Sequence, residues 1–451
     1  MRRLVATFVG ILNKAWYRRA HCGSKPTDCA GALPNLAGPS DLMKLRTGRP
    51  LWISHVPPLR RSRLSGLHRC DVAIIGAGIT GALVANQLLN AGLSVAMLDK
   101  RQAGFGSTAA STGLLLYQPD SSIGDLTRQY DQDTAKRVYE LGRKAIRELG
   151  ALVRELDLDC GWDAKRTLYV ASNTADAALL KAEARRSARI GFAAEVLSQT
   201  RLRERYQIEF PAALSAAGSA QVNAFSLTRG VLRHAQKTPE FRLFQGTRVS
   251  SLRENRDTIT LRTPTGAQVV SRHVVVAAGY ESRRFVQSKL IRLYSTYVIA
   301  SKPLPPDRLR PIRDLMWETA RPYFYLRTSA DHRIIFGGQD EVYNTDSGRT
   351  RKLTRQTRRL EEQFATMFPD LAFKADFAWS GTFADTVDGL PCIGVARAGS
   401  RVLYALGYGG NGITFSQIAA RILRDACLGR ENGEAELFAF DRSPKVRRCD
   451  R

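Results

Sequence analysis

Long apolar runs are missing from this sequence. No stretch approaches the roughly 20 residues that cross a bilayer, so no transmembrane segment is expected. Cysteine pairing is missing too. Cys22, Cys29, Cys70, Cys160, Cys392, Cys427 and Cys449 form no C-x-x-C pair, and their number is odd. That argues against a disulfide framework and a zinc site, and for a reducing, cytoplasmic compartment. The six histidines are scattered with no H-E-x-x-H spacing, so no metal is expected. Acidic residues are scarce beside basic ones, 42 against 68, for a formal charge of +26. Residues 1–70 hold thirteen Lys or Arg against two Asp and no Glu; the remaining +15 is spread, mostly as Arg. Spread basic charge raises non-specific affinity for anionic partners. No run interleaves aromatics with Lys/Arg as a single-strand platform does, so no specific nucleic-acid partner is expected. What remains is ordinary globular composition, 44% hydrophobic and 24% charged. A length of 451 residues suits two interleaved domains.

The chain is organised around Asp71 to Gly113. Asp71–Ile75 is a short apolar run, read as a buried parallel strand. Gly76, Gly78 and Gly81 follow in G-x-G-x-x-G spacing, with Ile79 and Thr80 opening a helix that ends near Gly92. Gly76 allows the tight turn, Gly78 lets backbone approach a pyrophosphate, and Gly81 lets helix and strand pack closely. The helix N-terminus turns its amides toward the phosphates. A second strand, Ser94–Leu98, delivers Asp99, 23 positions after Gly76, where a ribose-binding acid is expected. Next comes GFGSTAASTGLLL, Gly104–Leu116, whose small hydroxyl residues suit close passage along a cofactor. Lys100 or Arg101 on a 2′-phosphate, an NADP reading, leaves this loop without a role.

Here the sequence resembles the D-amino-acid-oxidase-like superfamily of FAD-dependent oxidoreductases, over roughly Cys70 to Arg442. The resemblance implies non-covalent FAD, with Lys100 beside Asp99 and the loop residues Gly106, Ser107, Thr108 and Ser111 along the flavin. It also implies adenine contact at Val249 and close approach of the Ala278–Gly279 strand end. The turn Gly409, Gly410, Asn411 and Gly412, continued by Ile413 and Thr414, would lie at the flavin pyrimidine edge. Donors there stabilise negative charge on the reduced ring. The implied fold is mixed α/β: a Rossmann-like FAD-binding domain interleaved with an antiparallel-sheet substrate domain. The expected parts are FAD-binding at 67–160, 225–290 and 390–442, and substrate at 161–224 and 291–389. Residues 1–66 form an unstructured or loosely packed extension, and 443–451 a tail.

Residues 1–42 combine features of a signal peptide and a transit peptide without completing either. Met43 opens MKLRTGRPLW, which resembles the start of relatives and is the expected working start. Residues 126–156, 174–190, 200–206, 227–236 and 352–368 carry helical patterns. Strand patterns cover 162–172, 247–252, 258–263, 268–270, 273–278, 295–301, 323–327, 333–337 and 402–406.

Amine oxidation on a flavin needs position and a dry cavity more than a triad. Period-two alternation puts Tyr323, Tyr325 and Arg327 on one face, where two phenols and a guanidinium suit a cavity wall; Tyr297 is a similar candidate. Two arginines that the glycine oxidase branch uses are replaced here by Phe383 and Gly410. W-S-G-T-F and the final glycine turn lie nearer the gamma-glutamylputrescine oxidase branch, so a larger amine is expected. The electron acceptor would be oxygen or a quinone. A hydroxy-acid substrate, a tRNA-modifying role and non-catalytic flavin binding are the alternatives.

Overall fold

The computed structural model describes residues 44–54, 57–286, 291–343 and 345–444. The readings of residues 1–42, and most of the 443–451 tail, lie outside them. The described residues belong to one compact unit, Leu33–Arg451.

Leu67–Ile75 is the central strand of a largely parallel sheet. It pairs in parallel with Gln268–Val276 on one side and Val95–Asp99 on the other. Phe241–Gln245 and Val402–Leu406 extend the sheet outward in parallel, and Cys392–Val395 adds an antiparallel edge. Val72 and Ile74 face the helical layer, while Ala73 and Ile75 face the Ser251–Glu254 and Ile259–Arg262 meander. A strand covered on both faces reads as an unbroken apolar run, as this one does. The helix Ile79–Asn90 packs against Ala224–Ala235 and Gly412–Cys427.

The second sheet runs in the order Arg46–Gly48, Ala375–Thr386, Ile291–Ser301, Ile334–Val342, Tyr325–Thr328, Leu315–Glu318, Asp163–Val170, Ala212–Gln221, Leu114–Leu115. One face packs on the helix Asp346–Met367, through Leu360 and Phe364 against Tyr297, Ile299 and Phe336. The other face turns toward the parallel sheet. The strands of the two sheets alternate along the chain, giving a mixed α/β fold.

Several expectations need correction. Residues 44–54 are not loose. Arg46–Gly48 pairs with Trp379–Gly381, and Leu45, Trp52 and Leu59 are buried. Their apolar side chains have a strand edge and a cavity rim to cover. Leu114–Leu115 lies within the part expected to bind FAD yet pairs with Ala212–Gln221 in the second sheet. The helix read over 126–156 is two, Ile123–Gln129 and Gln132–Glu155, because Ser122 and Asp131 each cap a new N-terminus. The segments 268–270 and 273–278 form one strand, Gln268–Val276. Ala212–Gln221, rich in Ala and Ser, has weak strand propensity but is fixed by partners on both sides. No helix among the described residues is long and apolar enough to cross a membrane.

Candidate active site

A cavity of about 400 Å³ lies between the two sheets. It begins at the C-terminal ends of the parallel strands, at Ile75, Leu98, Ala277 and Leu406, where open α/β sheets place their ligands. It ends on the second sheet at Thr296, Tyr325, Asp340 and Phe383.

The first half is shaped for a dinucleotide. A Cβ on Gly81 would overlap the Gly76 carbonyl oxygen, so only glycine lets the helix sit this close to the strand. Gly78 caps the helix without a side chain, leaving the approach to its first turn open. Asp99 accepts from the Ala77 amide at 2.8 Å and the Arg101 amide at 2.7 Å, which fixes its carboxylate at the cavity wall. Burial pushes this carboxyl up, opposed by those two amides. Lys100 and Arg101 both pair with Glu281, at 2.6 and 2.7 Å. Their charge is therefore tied into the fold, which weakens the 2′-phosphate reading. Thr108 Oγ1 accepts from the Ile79 amide at 3.0 Å, pinning the small-residue loop to the helix start. Ser107 Oγ is buried without a hydrogen-bond partner in the cavity wall, an orphaned donor that a cofactor would satisfy. These features fit FAD.

The second half is aromatic and acidic. Tyr280, Trp317, Tyr323, Tyr325 and Tyr408 line it. Tyr325 shares a hydrogen bond of 2.9 Å with the Thr296 hydroxyl. Asp120 lines the cavity with its side chain exposed to it, and it accepts from the Gly410 amide at 2.7 Å. That turn is therefore not a set of free donors: its Gly410 amide is engaged by a carboxylate. Gly409 has φ +57°, and a Cβ there would overlap Asp120 Oδ2 and come within 3.1 Å of Asp385 Oδ1. Burial pushes Asp340 up to about 6, with the Asp120 charge adding to it and the Thr296 hydroxyl and Arg321 opposing. Asp385 is pushed up to about 7 by burial, then by Asp120 and Asp340. Burial also raises Asp120, against the Gly410 amide and Arg321.

Most residues named from sequence meet at this cavity: Gly76, Gly78, Ile79, Thr80, Asp99, Lys100, Gly106, Ser107, Thr108, Ser111, Val249, Ala278, Gly279, Gly409, Gly410, Asn411, Gly412, Ile413 and Tyr325. Val249 does so from a loop, because its strand begins only at Ser251. Gly81 and Thr414 do not line the cavity. Gly81 serves the packing, and buried Thr414 donates to the Leu116 carbonyl at 3.1 Å.

Two substrate candidates are displaced. Arg327 lies on the same strand as Tyr325, two residues on, but that end of the sheet is roofed by Trp52. Its guanidinium stacks on the Trp52 ring at 5.1 Å and donates to the Val222 carbonyl at 3.2 Å. Burial lowers it to about 9, and it is not a cavity residue. Tyr297 points to the opposite face and donates to Glu341 at 2.5 Å; its neighbour Thr296 holds the cavity position. Tyr297→Phe is accordingly expected to leave kcat and KM near wild type while costing about 1 kcal/mol in denaturant unfolding.

The sequence reading missed Asp120, Asp340, Asp385, Tyr280 and Thr296. Alternation carried two residues past Phe383 puts Asp385 on the same side of its strand, beside Gly409 but behind the cavity lining. Asp120 and Asp340 carried no local signal, since only the tertiary fold brings them to one cavity.

Residues 71–426 match the family model described as FAD dependent oxidoreductase, and the chain belongs to that family. The gamma-glutamylputrescine oxidoreductase of Escherichia coli (strain K12) is 26% identical over 388 residues, covering 83% of this chain and 87% of that one. A glycine oxidase of Geobacillus kaustophilus (strain HTA426) is 25% identical over 394 residues, covering 84% and 96%. The crystal structure of a glycine oxidase from Geobacillus kaustophilus superposes with a TM-score of 0.69 at 22% identity, over 81% of this chain and 96% of that chain. The L-α-glycerophosphate oxidase of Mycoplasma pneumoniae, with FAD bound, gives 0.67 at 16% identity over 81% and 96%. The chain is an FAD-dependent oxidoreductase of this fold.

Proposed function

We propose that this enzyme oxidises the C–N bond of a small-molecule amine, with its FAD held non-covalently by the residues named above. The observation that carries the reading is the continuity of one cavity, from the Gly76–Asp99 cradle to a wall of tyrosines and carboxylates suited to an amine. The relatives named for amine and amino-acid oxidation support it. Bound flavin would accept a hydride from the carbon next to nitrogen, and the resulting imine hydrolyses in water.

The chain's own residues position and shield. Tyr323, Tyr325 and Tyr280 line the cavity and narrow it around the substrate. The carboxylates make this end of the cavity attractive to a protonated amine. Burial raises the pKa of all three phenols, keeping them neutral at pH 7. On the family resemblance, Phe383 takes the place of a carboxylate-gripping arginine of the glycine oxidase branch; here it stacks on Tyr294 at 5.3 Å. That supports an amine over a simple α-amino acid.

No cysteine or histidine among the described residues lines the cavity, and Cys392 is buried beside Arg442. Acid precipitation of the holoprotein should therefore release all its flavin into the supernatant, as read by absorbance; yellow pellet would contradict non-covalent binding. Cys70, Cys160, Cys392 and Cys427 are free thiols, which supports a reducing, cytoplasmic location. Oxygen or a quinone serves as electron acceptor in this reading. Incubation with an oxidised amine should yield the carbonyl product and released amine or ammonia in equal amounts; product without C–N cleavage would overturn the reading.

A further inference from the structure

The cavity does not stop at the tyrosine wall. Across the second sheet Tyr325 pairs with Trp317, Trp317 with Tyr169, and Tyr169 with Leu214. Directly paired residues share a face, so these four side chains form one row over four neighbouring strands, and all four line the cavity. Three strand spacings make the row about 14 Å long. Each of the four is half-buried, while its neighbours along the strand are buried. The sheet thus packs its other face and leaves this row uncovered. Trp317 and Tyr169 stack at 5.1 Å with their planes 21° apart, a flat apolar floor. Helices supply the rest of the wall: Ile123, then Tyr139 of Gln132–Glu155, then Glu183 and Ser187 of Thr174–Arg189. Burial pushes the Tyr139 phenol well up, and Glu183, Tyr117, Asp125 and Tyr169 add to it, so floor and helices meet here. Glu183 is already engaged: it accepts from the Ile123 amide at 2.6 Å and pairs with Arg186 at 3.2 Å. Tyr117 and Tyr139 line the cavity and are each only 4% exposed. Among the described residues neither hydroxyl has a hydrogen-bond partner, yet both oxygens remain accessible. Two accessible phenols left unpaired in a buried wall mark a place for a ligand's polar atom. None of these residues is among those placed at FAD.

We propose that this arm is the subsite for the distal part of the substrate, and that the substrate is an arylalkylamine, an amine with an extended, uncharged aromatic tail. The inference rests on the C–N reading and names its substrate class. The nitrogen and its α-carbon would stay by Tyr325, and the ring would lie on the Tyr169–Trp317 stack. Stacking on aromatic faces favours a ring over an alkyl chain. The Tyr117 and Tyr139 hydroxyls can hydrogen-bond a polar substituent on that ring. A terminal carboxylate would lie against aromatic faces and Glu183, with Arg321 held over the Tyr323 ring at 4.8 Å.

The test uses the holoenzyme, with flavin content checked, and phenylalkylamines of one to six methylenes. Each is matched to the n-alkylamine and the ω-amino acid of equal length. The value of kcat/KM should rise with tail length to an optimum at three methylenes or more, at least about tenfold above benzylamine. The best phenylalkylamine should exceed its n-alkylamine at least about fivefold, and its ω-amino acid by more. Leu214→Trp, which fills the far end of the row, should move the optimum to a shorter tail, a change that loss of stability alone does not produce. Leu214→Phe, with less added bulk, is the second variant should the first not fold. A rate independent of tail length, a preference for the ω-amino acid, or an optimum unmoved by filling the arm overturns the proposal while leaving C–N oxidation intact. Reduction of the flavin by no amine at all overturns the C–N reading and this one with it.

Discussion

Asp99→Ala is expected to purify without flavin. Asp99 accepts two backbone amides, Ala77 at 2.8 Å and Arg101 at 2.7 Å, at the rim of the glycine turn. Removing the carboxylate leaves both donors without their acceptor, at about 1–3 kcal/mol for each one left buried. On the proposed placement of the cofactor it also removes the acceptor for a ribose hydroxyl. Losing these together should weaken FAD binding by roughly 100-fold or more. Fluorescence titration of apoprotein with FAD measures this directly. Asp99→Asn keeps one acceptor oxygen and should fall between the two. Wild-type affinity in Asp99→Ala would mean that the cradle is not the cofactor site.

How this site is built explains what was legible in advance. The strand, glycine turn, helix and Asp99 form one local unit, so their spacing alone specified the geometry. The final turn was legible for the same reason, since Gly409–Gly412 leads straight into the helix Gly412–Cys427. The substrate wall was not local. Alternation correctly separated Tyr325 from its neighbours, but it could not show that Trp52, from the head of the chain, roofs Arg327. Nor could it decide between Thr296 and Tyr297, because one residue of register reverses which side chain faces the cavity. The carboxylate cluster lay furthest from view, since its members are over 200 positions apart between Asp120 and Asp340. The head was misjudged because a Pro-containing basic segment reads as loose, while Leu45 and Trp52 find buried places only in the folded whole.

Arg442→Ala should be the most destabilising single change outside the cavity. Arg442 Nε and Nη2 hold both oxygens of Asp388, at 2.7 and 2.9 Å. The same guanidinium donates to the carbonyls of Leu390, Pro391 and Ala439. It thereby ties the end of the described chain to the turn between Ala375–Thr386 and Cys392–Val395. With the guanidinium side chain only 9% exposed and Asp388 only 12%, the pair is largely buried. Removing one partner of such a pair costs about 3–5 kcal/mol, because the other charge is left uncompensated. Denaturant unfolding followed by fluorescence would show this as a lower midpoint. Arg442→Lys, a single point charge that cannot span these acceptors, should recover only part of the loss.

The same pair gives a pH signature. Burial pushes the Asp388 carboxyl up, but Arg442, the Tyr130 hydroxyl and the Leu390 amide bring it below its ordinary value on balance. A carboxylate held low contributes its stability above the unfolded pKa of about 3.9, and loses it as pH falls through the lower folded value. The gap between wild type and Arg442→Ala should therefore be widest near neutrality and narrow below about pH 4. A gap independent of pH would mean that packing, and not the ion pair, carries the effect.

Anaerobic titration of the holoenzyme with candidate substrates tests the central claim most directly. Flavin absorbance is followed while primary and secondary amines, diamines, amino acids and hydroxy acids are added in turn. Bleaching by an amine, and not by the matching alcohol or hydroxy acid, is the predicted result. Bleaching by a hydroxy acid alone, or a bound flavin that no amine reduces, would contradict the account.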